Sequence, residues 1–386
     1  MKRLLTFFLI CFSFVEYTRA EDIIDYKYWD EGKLTWDDFQ DTLSLKGVPS
    51  AFNAFLRIEK TEKRDGNIRT IRPEAQACFD KRHSFADRQI QNENLLRLFQ
   101  LKYDLLEMYR RRLQTELNLG VVGIAADNRT RQYMDLYTEK SKKAEQETEN
   151  GQNEIKLQEW EFYVTKELIE NPAPSIPRIS PRRFGYGFYL GTGASFPVGS
   201  IADYWDPAWQ INVGFDLAYA NTHLLCDFSA GTARTRQEII VSNGQITDKW
   251  LRNGHNTYTS ISLGIGQQLI STKYFALMPY VGCIWSGYSD QAKIQEGRNE
   301  RTTLSYTNFN WTAGICFDYR FSTTISLVPS FWRGHREIFT ASIRTKLFIN
   351  REQYKNFNAI EGNMIRGCKL GFSVACLGFS RLLQIK

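Results

Sequence analysis

Histidine is scarce: there are four among 386 residues, and only His83 lies in the first half of the chain. One imidazole does not make a metal site, because zinc centres draw on several imidazole, thiolate or carboxylate ligands. Seven cysteines form no CxxC pair and no regular spacing, which argues against a zinc knuckle and against a disulfide framework. After the first twenty residues no apolar run approaches the ~20 residues that cross a bilayer as a helix. Any contact with a membrane must then come from a closed β-barrel or from the surface. A charge excess of one sign is missing too. The 49 basic and 43 acidic side chains leave a net +6, too mild to argue for nucleic acid. No GxSxG, P-loop or dinucleotide fingerprint occurs. Aromatics reach 14%, which excludes a disordered or low-complexity chain.

The chain is long enough for two domains, and its composition divides. Residues 1–182 carry 29 basic and 30 acidic side chains, whereas 183–386 carry 20 and 13 together with 20 of the 26 glycines. Between the halves, 171–182 holds Pro172, Pro174, Pro177 and Pro181, a density that predicts an extended linker. At the start, Lys2 and Arg3 precede an apolar run from Leu4 to Val15, and Ala20 stands just before Glu21. That pattern predicts a secretory signal peptide over 1–20. Six cysteines remain beyond it: Cys78, Cys226, Cys283, Cys316, Cys368 and Cys376. Most are expected as small apolar side chains.

Residues 21–170 read as an α+β domain. A helix starts at Asn94, with Leu95, Phe99, Tyr103, Leu106, Leu113 and Leu117 near helical spacing and Arg110–Arg112 outside. Further helical stretches cover Arg131–Glu147 and Glu154–Glu170. Short strands and turns are expected near Leu34–Phe39, Ala51–Glu59 and Thr70–Phe79. Asp37-Asp38 and Glu145, Glu147 and Glu149 read as solvated carboxylates rather than a general acid–base pair.

Several of these segments resemble a known family. Leu34-Thr35-Trp36-Asp37-Asp38-Phe39 is similar to the LTWxDF opening of domain-of-unknown-function family 922, regarded as secreted zinc-dependent proteases. Ala75–Asp80 followed by Ser84-Phe85 resembles that family's strand before the active-site helix. Glu107 and Tyr109 match its E-x-Y pair, and Glu147–Gly151 with Gln158-Glu159-Trp160 match its ETxHG and Q-x-W segments. The resemblance implies a zincin-like fold over roughly residues 25–170. In that register the HExxH residues are replaced: Leu98 and Lys102 stand for the two histidines, Phe99 for the glutamate and Asn150 for the third ligand. Leu and Phe cannot ligate a metal, and a protonated Lys repels one. The domain is therefore expected to be degenerate, with no catalytic residue, metal or cofactor.

From Phe184 the apolar period becomes two. Trp209, Ile211, Val213, Phe215, Leu217 and Tyr219 alternate with Gln210, Asn212, Gly214, Asp216 and Ala218. Ile261, Leu263 and Ile265 alternate with serines and glycines, as do Trp311–Tyr319 and Leu370–Val374 with their neighbours. Such alternation over about ten residues suits a tilted membrane strand. The weak face suits a narrow polar lumen in which Asp318 can be hydrated, so Arg should be tolerated there. Nine runs stand out: 184–197, 209–220, 223–233, 257–269, 275–287, 308–321, 325–332, 338–349 and 367–379. Barrels of this class have even strand numbers, so 183–386 is predicted as an outer-membrane barrel of eight strands, with ten as the alternative. Tyr186, Trp209, Tyr219, Tyr280, Trp285 and Tyr319 are expected in interfacial girdles. Tight connections are expected near 221–222, 271–274 and 322–324, and long ones over 234–256 and 288–307. This half resembles the broad OmpA/OmpW-like group of small outer-membrane barrels, on pattern alone.

Together these readings predict an exported, non-enzymatic outer-membrane protein with its protease-like domain in the periplasm. Its partners are expected to be outer-membrane lipid and a periplasmic polypeptide held for binding or scaffolding, with no nucleic acid. Two rivals stand beside it. One is an enzyme, either a residual hydrolase or a lipid-modifying barrel using His223, His255 or His335, although lone histidines are ordinarily surface residues. The other is a barrel that passes small apolar molecules.

Overall fold

The protein is described here by a computed structural model covering residues 25–41, 49–242, 247–290, 305–328, 336–358 and 364–385. The expected signal peptide lies outside the described residues. The chain divides into two units, one running to Glu59 and over Glu74–Ile176, the other holding Lys60–Pro73 and everything from Pro177.

In the first unit, β1 (Tyr26–Tyr28) pairs with the end of β4 (Ile68–Asp80), which forms a hairpin with β3 (Ala54–Asp65) whose tip, Lys60–Pro73, belongs to the second unit, and β2 (Ser50–Ala51) pairs with β5 (Phe85–Ala86). Three helices follow: α1 (Glu93–Leu119), α2 (Ile124–Glu147) and α3 (Glu154–Glu170). The start of α1 is set by Asn92, whose side chain accepts the Leu95 N–H at 2.8 Å, satisfying one of the helix's unpaired donors. Gly120 closes the helix, taking carbonyls of Glu116 and Leu117. The helix packs against both α2 and α3, and its buried set includes Leu98, Leu101, Leu105 and Met108 as well as the expected stripe. A helix apolar on so many sides is the core of its unit. The second helix begins at Ile124, seven residues before Arg131, because its polar first turns carry little apolar signal.

In the second unit, eight antiparallel strands close on themselves. They are β6 (Ile179–Gly199), β7 (Ala208–Tyr219), β8 (Thr222–Arg234), β11 (His255–Gln267), β13 (Phe275–Asp290), β14 (Ser305–Ser326), β15 (Glu337–Asn358) and β16 (Met364–Ile385). The ring is completed by pairing of β14 with β15 and of β16 with β6. The short β9 (Ile239–Ser242) and β10 (Thr247–Trp250) form a hairpin between β8 and β11, and β12 (Ile270–Ser271) pairs back on β13.

Eight is thus the strand number. The run 325–332 is not a separate strand, because β14 continues through a bulge between Arg320 and Ser322 to Ser326. No tight turn falls at 322–324 for the same reason. The wall of β6 also starts at Ile179, inside the segment read as linker, with Ser180 and Pro181 registered against Gln384 and Leu383 of β16. Beyond Tyr319 the edge of β14 has no β13 partner, and Ile68–Ile71 fill it as a parallel strand against Thr323–Ser326. An edge left bare would be open to pairing with another chain.

Side chains alternate as the period-two pattern requires. Trp209, Ile211, Phe215 and Val281 face outward at 66, 60, 55 and 66% exposure, while Gln210, Asn212, Asp216 and Lys369 are buried inside. Tyr280 is a correction. It points inward, packed with Leu225, Met278 and Cys316, since its place in the alternation of β13 outweighs its closeness to the strand end.

Candidate functional site

In the first unit the positions matched to a metal site are packed shut. Leu98 and Phe99 are buried on α1, and the Phe99 ring lies 5.5 Å from Phe52, 5.2 Å from Phe39 and 6.3 Å from Trp36. Lys102, one turn on, places Nζ 2.6 Å from Glu145 Oε1 and 4.6 Å from the Phe52 ring centre. Asn150 sits in the α2–α3 connection with φ 57°, its N–H bonded to the Glu145 carbonyl. Gly151 has φ 88°, and a Cβ there would meet the Asn94 carbonyl at 3.0 Å. Only glycine lets this connection lie so close to the first turn of α1. The structure thus gathers Leu98, Phe99 and Lys102 with Glu145, and sets the Asn150–Gly151 connection one turn before Leu98. Among the described residues no group of three or more His, Cys, Asp or Glu could hold a metal.

Glu145, read from the sequence as part of a solvated run, is instead paired with Lys102. The buried spacing of Tyr137, Ser141, Ala144 and Thr148 is the signal that brings its neighbour Glu145 toward α1. Asp38 is likewise not solvated. It is buried, accepts the Thr35 N–H at 2.8 Å and pairs with Lys27 at 2.7 Å. Burial raises its pKa, but the Lys27 and Thr35 hydrogen bonds outweigh that and hold the carboxyl below its ordinary value. Within LTWDDF, then, Asp38 ties a turn together. Glu107 is similarly structural, buried beneath Arg110 at 2.5 Å and Arg111 at 2.8 Å.

Asp104 behaves oppositely. Burial pushes its pKa up, only partly offset by Trp29 Nε1 at 2.8 Å and Gln100 Nε2 at 2.7 Å, both donating to Oδ1. A carboxyl raised in the folded state favours folding most below the unfolded pKa of about 4, and that contribution is lost as pH rises through the folded value. Asp104→Asn keeps an acceptor for both donors without the charge. It should leave stability unchanged or raised at pH 7, with the gain vanishing below about pH 4. Thermal unfolding of parent and variant across that range checks this.

The barrel lumen is filled by three ion-paired layers. Toward the end holding the β8–β11 connection, Glu352 takes Ser286 Oγ at 3.0 Å and Lys369 Nζ at 3.3 Å, with the Tyr354 hydroxyl on its other oxygen. Lys369 also lies 3.6 Å over the Tyr258 ring. Above this layer Trp205 stacks on Tyr288 at 4.4 Å, within a cluster that includes Ile239 and Trp250. In the middle, Lys346 Nζ meets both oxygens of Asp227 at 2.8 and 2.7 Å, and the Tyr189 hydroxyl donates to Asp227. Tyr189 crosses the lumen against Gly214, where a Cβ would lie 2.2 Å from its ring. At the other end, Arg344 bridges Asp318 (2.7 and 2.9 Å) and Asp216 (2.8 Å), and Asp216 holds His223 Nδ1 at 2.7 Å. Between layers, the cavity beside Asn212, Asp227 and Lys346 is about 30 Å³, room for one water.

Two expectations fail here. Asp318 is not free to be solvated by water alone but carries the buried Arg344, so Arg at that position would set two guanidiniums against each other. His223 is not a surface residue, being 6% exposed. His255 is exposed at the start of β11, and His335 lies outside the described residues. The layers themselves were missed by sequence. The available signal was the lone charge at inward positions of strands that otherwise carry small polar side chains.

No family model matches the chain, and no curated protein matches it. Three solved structures are similar over the barrel half. Ail, the attachment invasion locus protein of Yersinia pestis, in complex with the heparin analogue sucrose octasulfate, has a TM-score of 0.27 and 11% identity, covering 51% of this chain and 99% of its own. The N-terminal β-barrel domain of Pseudomonas aeruginosa OprF has a TM-score of 0.24 and 10% identity, covering 51 and 99%. A major outer membrane protein from Thermus thermophilus has a TM-score of 0.22 and 10% identity, covering 51 and 98%. At such TM-scores the likeness carries no weight, and the barrel rests on its own strand pairing.

Proposed function

We propose that the chain is an outer-membrane barrel protein whose first unit is a catalytically silent, protease-like fold held in the periplasm, where it binds or scaffolds a polypeptide. The observation that carries the membrane part is the outer face of the closed barrel. Aromatic and branched side chains stand about half exposed on every wall strand, while the charges are paired inside. Water would oppose so large an apolar surface, whereas lipid accepts it and a closed ring leaves no backbone edge. Strands of 12 to 22 residues are long enough to span.

Sidedness is supported by the connections. Residues 220–221 and 268–274 join strands at the end where β6 begins and β16 finishes, and the β9–β10 hairpin lies in a longer connection at the other. Short turns face the periplasm in barrels of this kind, so the first unit would enter from that side. A lumen holding three ion-paired layers disfavours passage of apolar molecules. Fractionation of the full chain with heat-modifiable gel mobility tests the reading. Folded barrel in the outer-membrane fraction is expected, and folded protein in the soluble fraction would overturn it.

Silence of the first unit is supported by the Lys102–Glu145 pair and the Phe99 packing where ligands and water would need to be. Stoichiometric zinc in the purified parent would sink this part. Leu98→His, Phe99→Glu, Lys102→His and Asn150→His, made together, should create zinc affinity that the parent lacks. A folded variant without zinc affinity would count against the register.

A further inference from the structure

A cavity of about 290 Å³ opens inside the barrel at the end where β6 begins and β16 finishes, below the Arg344 layer. That volume is about ten waters' worth, at the small end of ligand pockets. Its cations exceed its anions. Arg320, Arg344 and Arg381 line or border it against the carboxylates of Asp318 and Asp216, which Arg344 already engages on both. Arg320 bonds the Ser271 hydroxyl at 3.1 Å and the Thr272 carbonyl at 2.8 Å, and Arg381 bonds the carbonyls of Arg183 and Ala220. Carbonyl dipoles solvate these two guanidiniums without neutralising them.

Two buried side chains on the cavity wall each keep one nitrogen without a partner: Arg344 Nη1 and His223 Nε2, in residues 1 and 6% exposed. Buried polar nitrogens are rarely left so unless something else is to meet them. The rest of the wall mixes polar side chains, among them Gln268 and Thr340, with an apolar strip of Met278, Leu377 and Phe379. We propose that this cavity binds a small organic monocarboxylate. Its carboxylate is held by Arg344 Nη1 and the guanidiniums of Arg320 and Arg381, and its short apolar body lies along Met278, Leu377 and Phe379.

The test uses the full chain in nanodiscs of phosphatidylcholine, titrated calorimetrically with hexanoate, hexanol, hexylammonium, palmitate and inorganic phosphate. Hexanoate should bind, at least tenfold tighter than hexanol, and Arg320→Met or Arg381→Met should weaken it about tenfold. Equal binding of hexanol, or tighter binding of phosphate, would overturn the carboxylate assignment. Tighter binding of palmitate would overturn the short acid in favour of a chain released from lipid. Should the arginine variants fail to assemble, the parent's preference for hexanoate over hexanol, hexylammonium and phosphate decides alone.

Discussion

Asp227→Ala should lower the stability of the folded barrel by about 3–5 kcal/mol, among the largest effects open to a single lumen substitution. Asp227 meets Lys346 Nζ with both oxygens and accepts the Tyr189 hydroxyl. Lys346 is buried, beside the rings of Tyr189 at 5.5 Å and Tyr280 at 4.9 Å. Those rings attract the cation but cannot replace a carboxylate. Removing the acid leaves a charge in a site with room for one water. Asp227→Leu with Lys346→Met removes both charges and should recover most of the loss, because a buried pair contributes little beyond an apolar pair of similar size. Urea midpoints of the heat-modifiable band give both values. A single variant as stable as the parent would mean that the lumen is wetter than its packing shows.

Phe215→Arg and Leu263→Arg should each cost about 2–4 kcal/mol and deplete assembled barrel, whereas Tyr219→Arg should cost about 1 kcal/mol or less. All three side chains point outward, at 55, 41 and 61% exposure. Phe215 and Tyr219 share a strand and a face and lie some 13 Å apart along a tilted strand, about 10 Å in depth. In lipid the guanidinium is penalised according to depth. In water it would be accepted at every one of these half-exposed positions, so three neutral variants would remove the membrane from the reading. The yield of folded barrel in outer-membrane fractions is the measurement.

Much of the barrel was legible because strand periodicity is a local property. The faces of Trp209–Tyr219, Ile261–Ile265 and Trp311–Tyr319 fall where alternation puts them, and α3 spans the same Glu154–Glu170 that its pattern marks. What was misplaced depends on partners. Strand β14 passes through 322–324 because Ser322–Ser326 find Glu337–Ala341 on β15, a pairing that no window of sequence contains. Asp38 looked solvated because its cation, Lys27, stands eleven residues away across a turn.

By itself the sequence determined two chemistries joined near a proline-rich segment, an alternating half that favours a barrel, and a helical half with Leu98, Phe99, Lys102 and Asn150 at the positions that the resemblance assigns to ligands. These follow from composition and period, which each residue carries with it. Only the tertiary structure decided that the lumen is a stack of ion pairs, that Asp318 and Asp216 share Arg344, that Lys102 finds Glu145, and that a cationic cavity remains at one mouth. The lysine and arginine pairs among them join residues 17 to 128 positions apart. Their charges are settled by who meets whom once the chain has closed.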